Sequence, residues 1–234
     1  MTMIRNMLKR IAPLRRAVLR LRRGKPYVKS YSQLGEDMVV RHVFRKLAIA
    51  HPTYIDIGAN DPLRFNNTAL LYETGSRGVT IEPDPAVFKE IVRRRTRDIN
   101  LNIGISDANG EADFYRCNDD KLSTFSKEEA ERVVRKTPAL SFEVMKIPTR
   151  TIGSVIAEYC GGVFPDFLSL DVEGLDYTVL KSIEYEKSAP KVICVETAHA
   201  YNEIDAFLTS KGYTRLSTTF LNTIYCRTTL WENR

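Results

Sequence analysis

From residue 53 to residue 212 the chain alternates two kinds of segment, and this alternation narrows the possible folds more than any single motif. Short apolar runs lead into acids or a glycine: "TYIDIGAN" (53–60), "GVTIEPDP" (78–85), "INLNIGISD" (99–107), "DFLSLDVEG" (166–174) and "KVICVETAHA" (191–200). Stretches of helical period follow them: 66–75 stopping at Gly75, 86–96 opened by Pro85, 153–160, 175–182, and 202–212 stopping at Gly212. Strands alternating with helices build a mostly parallel three-layer α/β sheet. Proline at a helix start and glycine just past a helix end fit that punctuation.

The other segments fill in the frame. "YSQLGEDMVVRHVFRKL" (31–47) predicts a helix from about Ser32, with Ser32 as N-cap and Glu36 and Asp37 near its positive end. Asn109-Gly110 followed by alternation to Cys117 reads as a hairpin strand. Ser126 is placed to cap a helix within 122–136, with Glu129 at the capping-box position. Residues 142–152 are extended, and 213–227 read as an antiparallel pair that adds a strand at one sheet edge. No repeat or linker divides residues 30–234, so they form one domain behind an extension, 1–29.

That extension carries the charge excess. The chain has a net charge of +6, yet residues 1–29 hold ten Lys/Arg and no Asp/Glu, which leaves the body mildly acidic. A nucleic-acid-binding body would carry its basic stripe on the fold, so none is expected. Ile4, Met7, Ile11, Leu14, Val18 and Leu21 make an apolar stripe flanked by arginines, interrupted by Pro13. A helix of that kind suits peripheral contact with an anionic membrane surface through residues 1–25, and packing on the domain or on a partner is the alternative. No apolar run approaches membrane-spanning length and no secretory signal is evident, so the expectation is a cytoplasmic protein, at or near the inner membrane face. Cys117, Cys160, Cys194 and Cys226 form no CxxC pair and read as reduced, mostly buried thiols.

In a doubly wound sheet, ligands sit beyond the carboxyl ends of the strands. Four strand ends carry polar groups there: Asp56-Gly58-Asn60, Glu82, Ser106-Asp107 and Asp171-Glu173. A dinucleotide loop needs GxGxxG so that backbone amides reach the pyrophosphate. Here Gly58 stands alone, with Asp56 and Asp61 adding negative charge. Such acids suit a cofactor with an amino group, a sulfonium and no phosphate. Glu82 offers two acceptor oxygens to the paired hydroxyls of a ribose. The set describes S-adenosylmethionine better than NAD, and it argues against a nicotinamide-dependent oxidoreductase. A non-catalytic nucleoside-binding module and a membrane adaptor working through the basic tail are the rival readings.

The ordered stretches "YSQLGED" (31–37), "YIDIGAND" (54–61), "NNTALLYETGSRGVTIEPDP" (66–85), "NIGISDANGEADFY" (102–115), "LSTF" (122–125) and "FLSLDVEGLDYTVLKSI" (167–183) resemble the FkbM family of S-adenosylmethionine-dependent methyltransferases over roughly residues 30–200. The resemblance implies a Rossmann-like class I methyltransferase fold: a mostly parallel seven-stranded sheet with an antiparallel edge strand and helices on both faces. It implies that Asp56, Gly58 and Asn60 line the methionine end of the cofactor, that Glu82 holds the ribose, that Ile105, Ser106 and Asp107 flank the adenine, and that Ala59 and Pro83 are further cofactor contacts. Family members methylate hydroxyls of sugars or of small natural products, often in polysaccharide or glycolipid assembly. The first loop departs from the general DxGxGxG-like pattern, because Pro62 stands where a glycine would be.

Methyl transfer from a sulfonium is a displacement that rewards alignment of acceptor oxygen, methyl and sulfur. A sugar hydroxyl also needs a base or a metal. Asp171 is the expected acid/base and cofactor neighbour, with Glu173 and His199 as helpers. If the strand stays extended, Asp171 and Glu173 point the same way. A divalent cation such as Mg²⁺ held by Asp171, Glu173 and Glu196 is the alternative. Gln33, Glu36, Asn67, Ser123 and Thr124 are candidate substrate contacts.

Overall fold

The computed structural model describes residues 28–198 and 200–232; the basic segment 1–25 and His199 lie outside the described residues. The chain divides into two compact units, Met1–Ser30 and Tyr31–Arg234, and every described element belongs to the second. In chain order these are α1 (Glu36–Lys46), β1 (Tyr54–Ile57), α2 (Ala69–Glu73), β2 (Gly78–Ile81), α3 (Pro85–Arg94), β3 (Ile99–Leu101), β4 (Gly104–Ile105) and β5 (Gly110–Cys117). A 3₁₀ turn (Asp120–Leu122), α4 (Lys127–Lys136), β6 (Phe142–Arg150), α5 (Ile152–Tyr159), β7 (Phe167–Leu170), α6 (Asp176–Lys181) and β8 (Val192–Glu196) follow. The chain closes with α7 (Tyr201–Ser210), β9 (Tyr213–Thr218), β10 (Asn222–Arg227) and the short α8 (Thr228–Trp231).

A seven-stranded sheet runs in the order β3-β2-β1-β7-β8-β10-β9. The chain winds outward from β1 to β3, then restarts beside β1 with β7, so the strand order reverses between β1 and β7. That reversal opens a crevice at the carboxyl ends. Side chains alternate across the sheet. Ile55, Ile57, Leu168, Leu170, Ile193 and Val195 pack with α5, α6 and α7 on one face. Tyr54, Phe167, Val192, Cys194, Ile224 and Cys226 pack with α1 and α2 on the other. All four cysteines are free thiols and three are buried.

The terminal pair does add to one end of the sheet, but β10 is the strand running against the rest, and it lies one place in from the edge. The β8–α7–β9 crossover carries the chain past an open position, β9 forms the edge, and β10 folds back into the gap.

Three further expectations change. Helix α1 starts at Glu36, with Gly35 at φ 92° as its N-cap. Ser32 instead joins a local loop closure: its hydroxyl donates to Asp37 Oδ1 (2.9 Å) while Asp37 Oδ2 accepts from the Tyr31 N–H (2.6 Å). The run 99–107 is two strands in two sheets. Asn102 causes the break, because its side-chain amide donates to the carbonyls of Glu82 (2.8 Å) and Pro83 (2.9 Å). Asn109 does not close a tight hairpin either. Its Oδ1 accepts from the Thr151 N–H (2.8 Å), and β5 finds its antiparallel partner in the distant β6. Strands β4, β6 and β5 thus form a separate three-stranded sheet.

Beneath the crevice lies a buried polar cluster around Arg95, which is wholly inaccessible. Its guanidinium pairs with Asp98 (2.8 Å) and donates to the Tyr54 hydroxyl (2.9 Å) and Thr68 Oγ1 (2.8 Å). Thr68 in turn donates to Asp56 Oδ2 (2.7 Å), and Asn66 Nδ2 donates to the same oxygen (3.1 Å). The cluster ties β1, the loop before α2 and the end of α3 together.

Candidate active site

A cavity of about 460 Å³ opens at the carboxyl ends of β1, β2, β7 and β8, within the usual range for small-molecule sites. Gly58, Glu82, Asp171 and Glu196 line it from the large sheet; Ile105 and Phe114 from the small sheet, Ser123, Thr124 and Phe125 from the segment before α4, and Glu129 and Arg132 from α4 enclose it.

Gly58 is fixed by a close approach. Its φ is 79°, and a Cβ there would lie 1.8 Å from the carbonyl oxygen of Asp171, so only glycine lets β1 turn against the end of β7. The N–H groups of Gly58 and Ala59 both donate to Ile81 O (3.0 and 3.1 Å), which folds the loop back over β2. This brings the Asn60 N–H onto Glu82 Oε2 (2.9 Å), while the Asp84 N–H meets Oε1 (2.8 Å). Both carboxyl oxygens are thereby oriented, and each keeps a second lone pair. Burial pushes Glu82 up to about 7, against the two N–H bonds that favour its charged form.

Strand β7 ends at Leu170, and Glu173 takes a left-handed conformation at φ 50°. The backbone therefore turns between Asp171 and Glu173, and the expected extended register of the two side chains does not hold. The turn is pinned by Asp176, which accepts from the N–H groups of Val172 (3.1 Å) and Gly174 (3.3 Å), and by Thr124, whose hydroxyl donates to Glu173 O (3.0 Å). Burial raises Asp171, Glu173 and Glu196 above the ordinary carboxylate range, and neighbouring acids raise them further. Asp176 is pushed to about 7 by burial and then by Asp171. Glu196 Oε2 is buried with no hydrogen-bond partner.

Gln33, Gly58, Asn60, Glu82, Pro83, Ile105, Ser123, Thr124, Asp171, Glu173 and Glu196 share this one cavity. Other sequence candidates lie off its wall. Asp56 turns into the Arg95 cluster, because it sits inside β1 and faces away from its neighbours Ile55 and Ile57. Burial raises it, with Arg95 opposing. Ala59 gives its carbonyl to Asn66 Nδ2 (2.9 Å). Ser106 donates from its hydroxyl to the exposed Asp107. Glu36 is committed to the Leu34 N–H (2.8 Å) and the Thr219 hydroxyl (2.8 Å). Asn67 Nδ2 donates to Ser169 Oγ (3.4 Å). Among the described residues no three His, Cys, Asp or Glu side chains are arranged to hold a metal ion. Asp171, Glu173 and Glu196 share the cavity without forming such a group.

Sequence reasoning missed Asp176, which pins the turn after β7, and, on the cavity wall, the Glu129–Arg132 pair and the 119–122 turn. Asp176 carried a signal, as an acid in the first turn of a helix that follows a strand end. The wall residues of α4 carried none, because they reach the site through a sheet that local periodicity did not reveal.

The FkbM methyltransferase domain model matches residues 56–215, more than half of the chain. Among solved structures, the chain is similar to methyltransferase FkbM from Methylobacillus flagellatus KT (TM-score 0.47, 16% identity, covering 76% of this chain and 44% of that one). It is also similar to a methyltransferase from Geobacter sulfurreducens (0.43, 11%, 93% and 89%) and to a TehB-like SAM-dependent methyltransferase from Corynebacterium glutamicum (0.41, 9%, 95% and 99%). The chain spans less than half the length of the first of these. A search of curated proteins finds no match. The architecture is the Rossmann-like class I methyltransferase fold. The chain belongs to the FkbM methyltransferase family and carries its methyltransferase domain.

Proposed function

We propose that this protein is an S-adenosylmethionine-dependent O-methyltransferase acting on a hydroxyl of a sugar or glycan in polysaccharide or glycolipid assembly. One observation carries the cofactor half: Glu82, oriented by two backbone N–H groups at the end of β2, presents its remaining lone pairs to the cavity. That geometry suits two adjacent ribose hydroxyls. The residues present fit the rest of the cofactor as well. Ile103, Ile105, Phe114 and Phe125 offer an apolar end for adenine, and the acids around Asp171 suit the ammonium and sulfonium.

The bound cofactor supplies a methyl group made electrophilic by its sulfonium. The protein's part is to hold the acceptor oxygen in line, exclude water and take up a proton. Asp171 is the base of choice, because burial brings its affinity for a proton toward neutral pH, where a general base works best. Glu173 and Glu196 hold their protons to higher pH and hydrogen-bond the flanking acceptor hydroxyls. An acidic wall repels phosphate, which favours an uncharged polyol at the reacting end. Among the described residues no helix is long and apolar enough to cross a membrane. Residues 1–25 are proposed to bring the enzyme to the surface where lipid-linked glycans are built.

Calorimetric titration tests the cofactor half. S-adenosylhomocysteine should bind in the micromolar range and NAD should not. Glu82→Ala should weaken binding by roughly 10- to 100-fold, the cost of lost hydrogen bonds to a charged acceptor. A folded protein that ignores S-adenosylhomocysteine would sink the reading. Deleting residues 1–26 should leave the affinity unchanged and abolish sedimentation with anionic vesicles.

A further inference from the structure

Gln33, Phe65 and Lys121 line the cavity yet are exposed, and so mark its mouth. Three large apolar side chains stand out from the loops that meet there: Leu34 (52% exposed), Phe65 (53%) and Phe220 (88%). Phe220 is the most exposed large apolar side chain among the described residues, and its neighbour Leu221 lines the cavity. Phe65 holds a left-handed conformation (φ 54°), which is costly for a bulky residue. The three loops are tied to one another. Glu36 accepts from the Leu34 N–H (2.8 Å) and from the hydroxyl of Thr219 (2.8 Å), in the turn that carries Phe220. The Asn66 N–H, next to Phe65, donates to Tyr31 O (3.2 Å). The apolar tips are thus fixed around the mouth and kept in water, where burial would have favoured them. Exposed apolar side chains gathered at one opening mark a contact surface.

Charge and connectivity select the partner. The chain enters the domain at Tyr31, just before Gln33 on the cavity wall, and residues 1–29 behind it hold ten Lys/Arg and no Asp/Glu. Lys121 adds a cation at the rim, 4.3 Å from the Phe65 ring centre. A basic segment attached beside an apolar rim suits an anionic lipid surface, with charges among the headgroups and apolar tips at the acyl boundary. The rest of the chain is mildly acidic, so such a surface repels it, and apolar insertion is what can hold the mouth there. A sugar platform fits less well, because leucine has no ring face to offer.

We propose that Leu34, Phe65 and Phe220 insert into a lipid surface and hold the cavity mouth against it. Resting on the methyltransferase reading, this makes the acceptor a sugar carried on a lipid and delivered from the membrane plane. Residues 1–25 recruit the protein and the rim orients it, since three side chains are too few to bind alone.

The test uses the full chain and vesicles of phosphatidylcholine and phosphatidylglycerol. Phe220→Trp places a reporter on the rim, read against Trp231, the chain's one native tryptophan. Its emission should shift to the blue on vesicle binding and be quenched by lipids brominated along the acyl chain, beyond the change in the native protein. The double variant Leu34→Ser/Phe220→Ser should bind the same vesicles roughly tenfold more weakly, as expected when two apolar side chains are no longer buried. It should bind S-adenosylhomocysteine as the native chain does. Thermal melts establish that each variant is folded, and the tryptophan variant carries the test if the other is not. A reporter left unquenched on bound vesicles, a double variant that binds vesicles like the native chain, or a native chain that ignores vesicles overturns the proposal. So does a native dimer that the double variant dissociates with vesicle binding unchanged, which gives the rim to a second copy. A native chain that binds vesicles through the rim but ignores S-adenosylhomocysteine sinks the methyltransferase reading, while the insertion stands.

Discussion

Two acids near strand ends, Asp56 and Glu82, look alike in sequence and do opposite things. Glu82 lies one residue past β2 and opens on the cavity, whereas Asp56 lies inside β1 and is turned into the Arg95 cluster. Parity along the strands does not separate them, because Asp56 is in register with Thr80, two residues before Glu82; the difference is that β2 has stopped before Glu82 and β1 has not stopped at Asp56. Gly58 is legible as a loop glycine, but the reason for it is not, because the carbonyl it must clear belongs to Asp171, far away in the chain. Gly58→Ala should therefore cost about 2–4 kcal/mol in urea unfolding, from overpacking together with a left-handed φ, and should abolish cofactor binding. Asp56→Ala should act differently. It leaves Arg95 short of a carboxylate, lowers stability, and weakens S-adenosylhomocysteine only through the loop it anchors.

At the scale of elements, the alternating frame and most helix limits could be read from the sequence because they are local: Pro85 opens α3 and Ser126 caps α4 as their positions suggest. The second sheet could not. Its strands pair across 25 or more residues, as in Gly110 with Thr149, and its existence depends on Asn102 spending its side chain on the carbonyls of Glu82 and Pro83. The Arg95 cluster was hidden for a similar reason. An arginine near the end of an amphipathic helix reads as surface charge, yet this one is wholly buried and joins β1 to the loop beneath the cavity. Removing one member of a buried charged network leaves the others unpaired, so Arg95→Ala should destabilise the fold by about 3–5 kcal/mol. Arg95→Lys should recover only part of that, because a single ammonium cannot reproduce the forked contacts. Chemical denaturation of the two variants side by side checks both statements.

Across the whole molecule the raised carboxyl groups make stability depend on pH. Glu82 and Asp176 keep their protons to about 7, and Glu173 and Glu196 are raised in the same direction, whereas the unfolded chain loses them near the ordinary carboxylate values. The folded state then binds more protons than the unfolded one, so this stabilisation is complete at low pH and is lost as pH rises through the folded values. The melting temperature of the ligand-free protein should fall from about pH 5 to about pH 8, and saturating S-adenosylmethionine should flatten the decline. A melting temperature that rises across this range would contradict the assigned protonation. The small sheet has a consequence of another kind. The chain leaves the main scaffold at Gly104-Ile105 and returns beside it at Thr149-Arg150, since β4 and β6 pair in parallel at those positions. Nearly everything that roofs the cavity lies on this single excursion, whose two ends are neighbours. Segments with adjacent ends can be lengthened or replaced at little cost to the body that carries them. The roof is therefore a single exchangeable segment, while Gly58, Glu82 and Asp171 stand at the strand ends of the sheet that carries it.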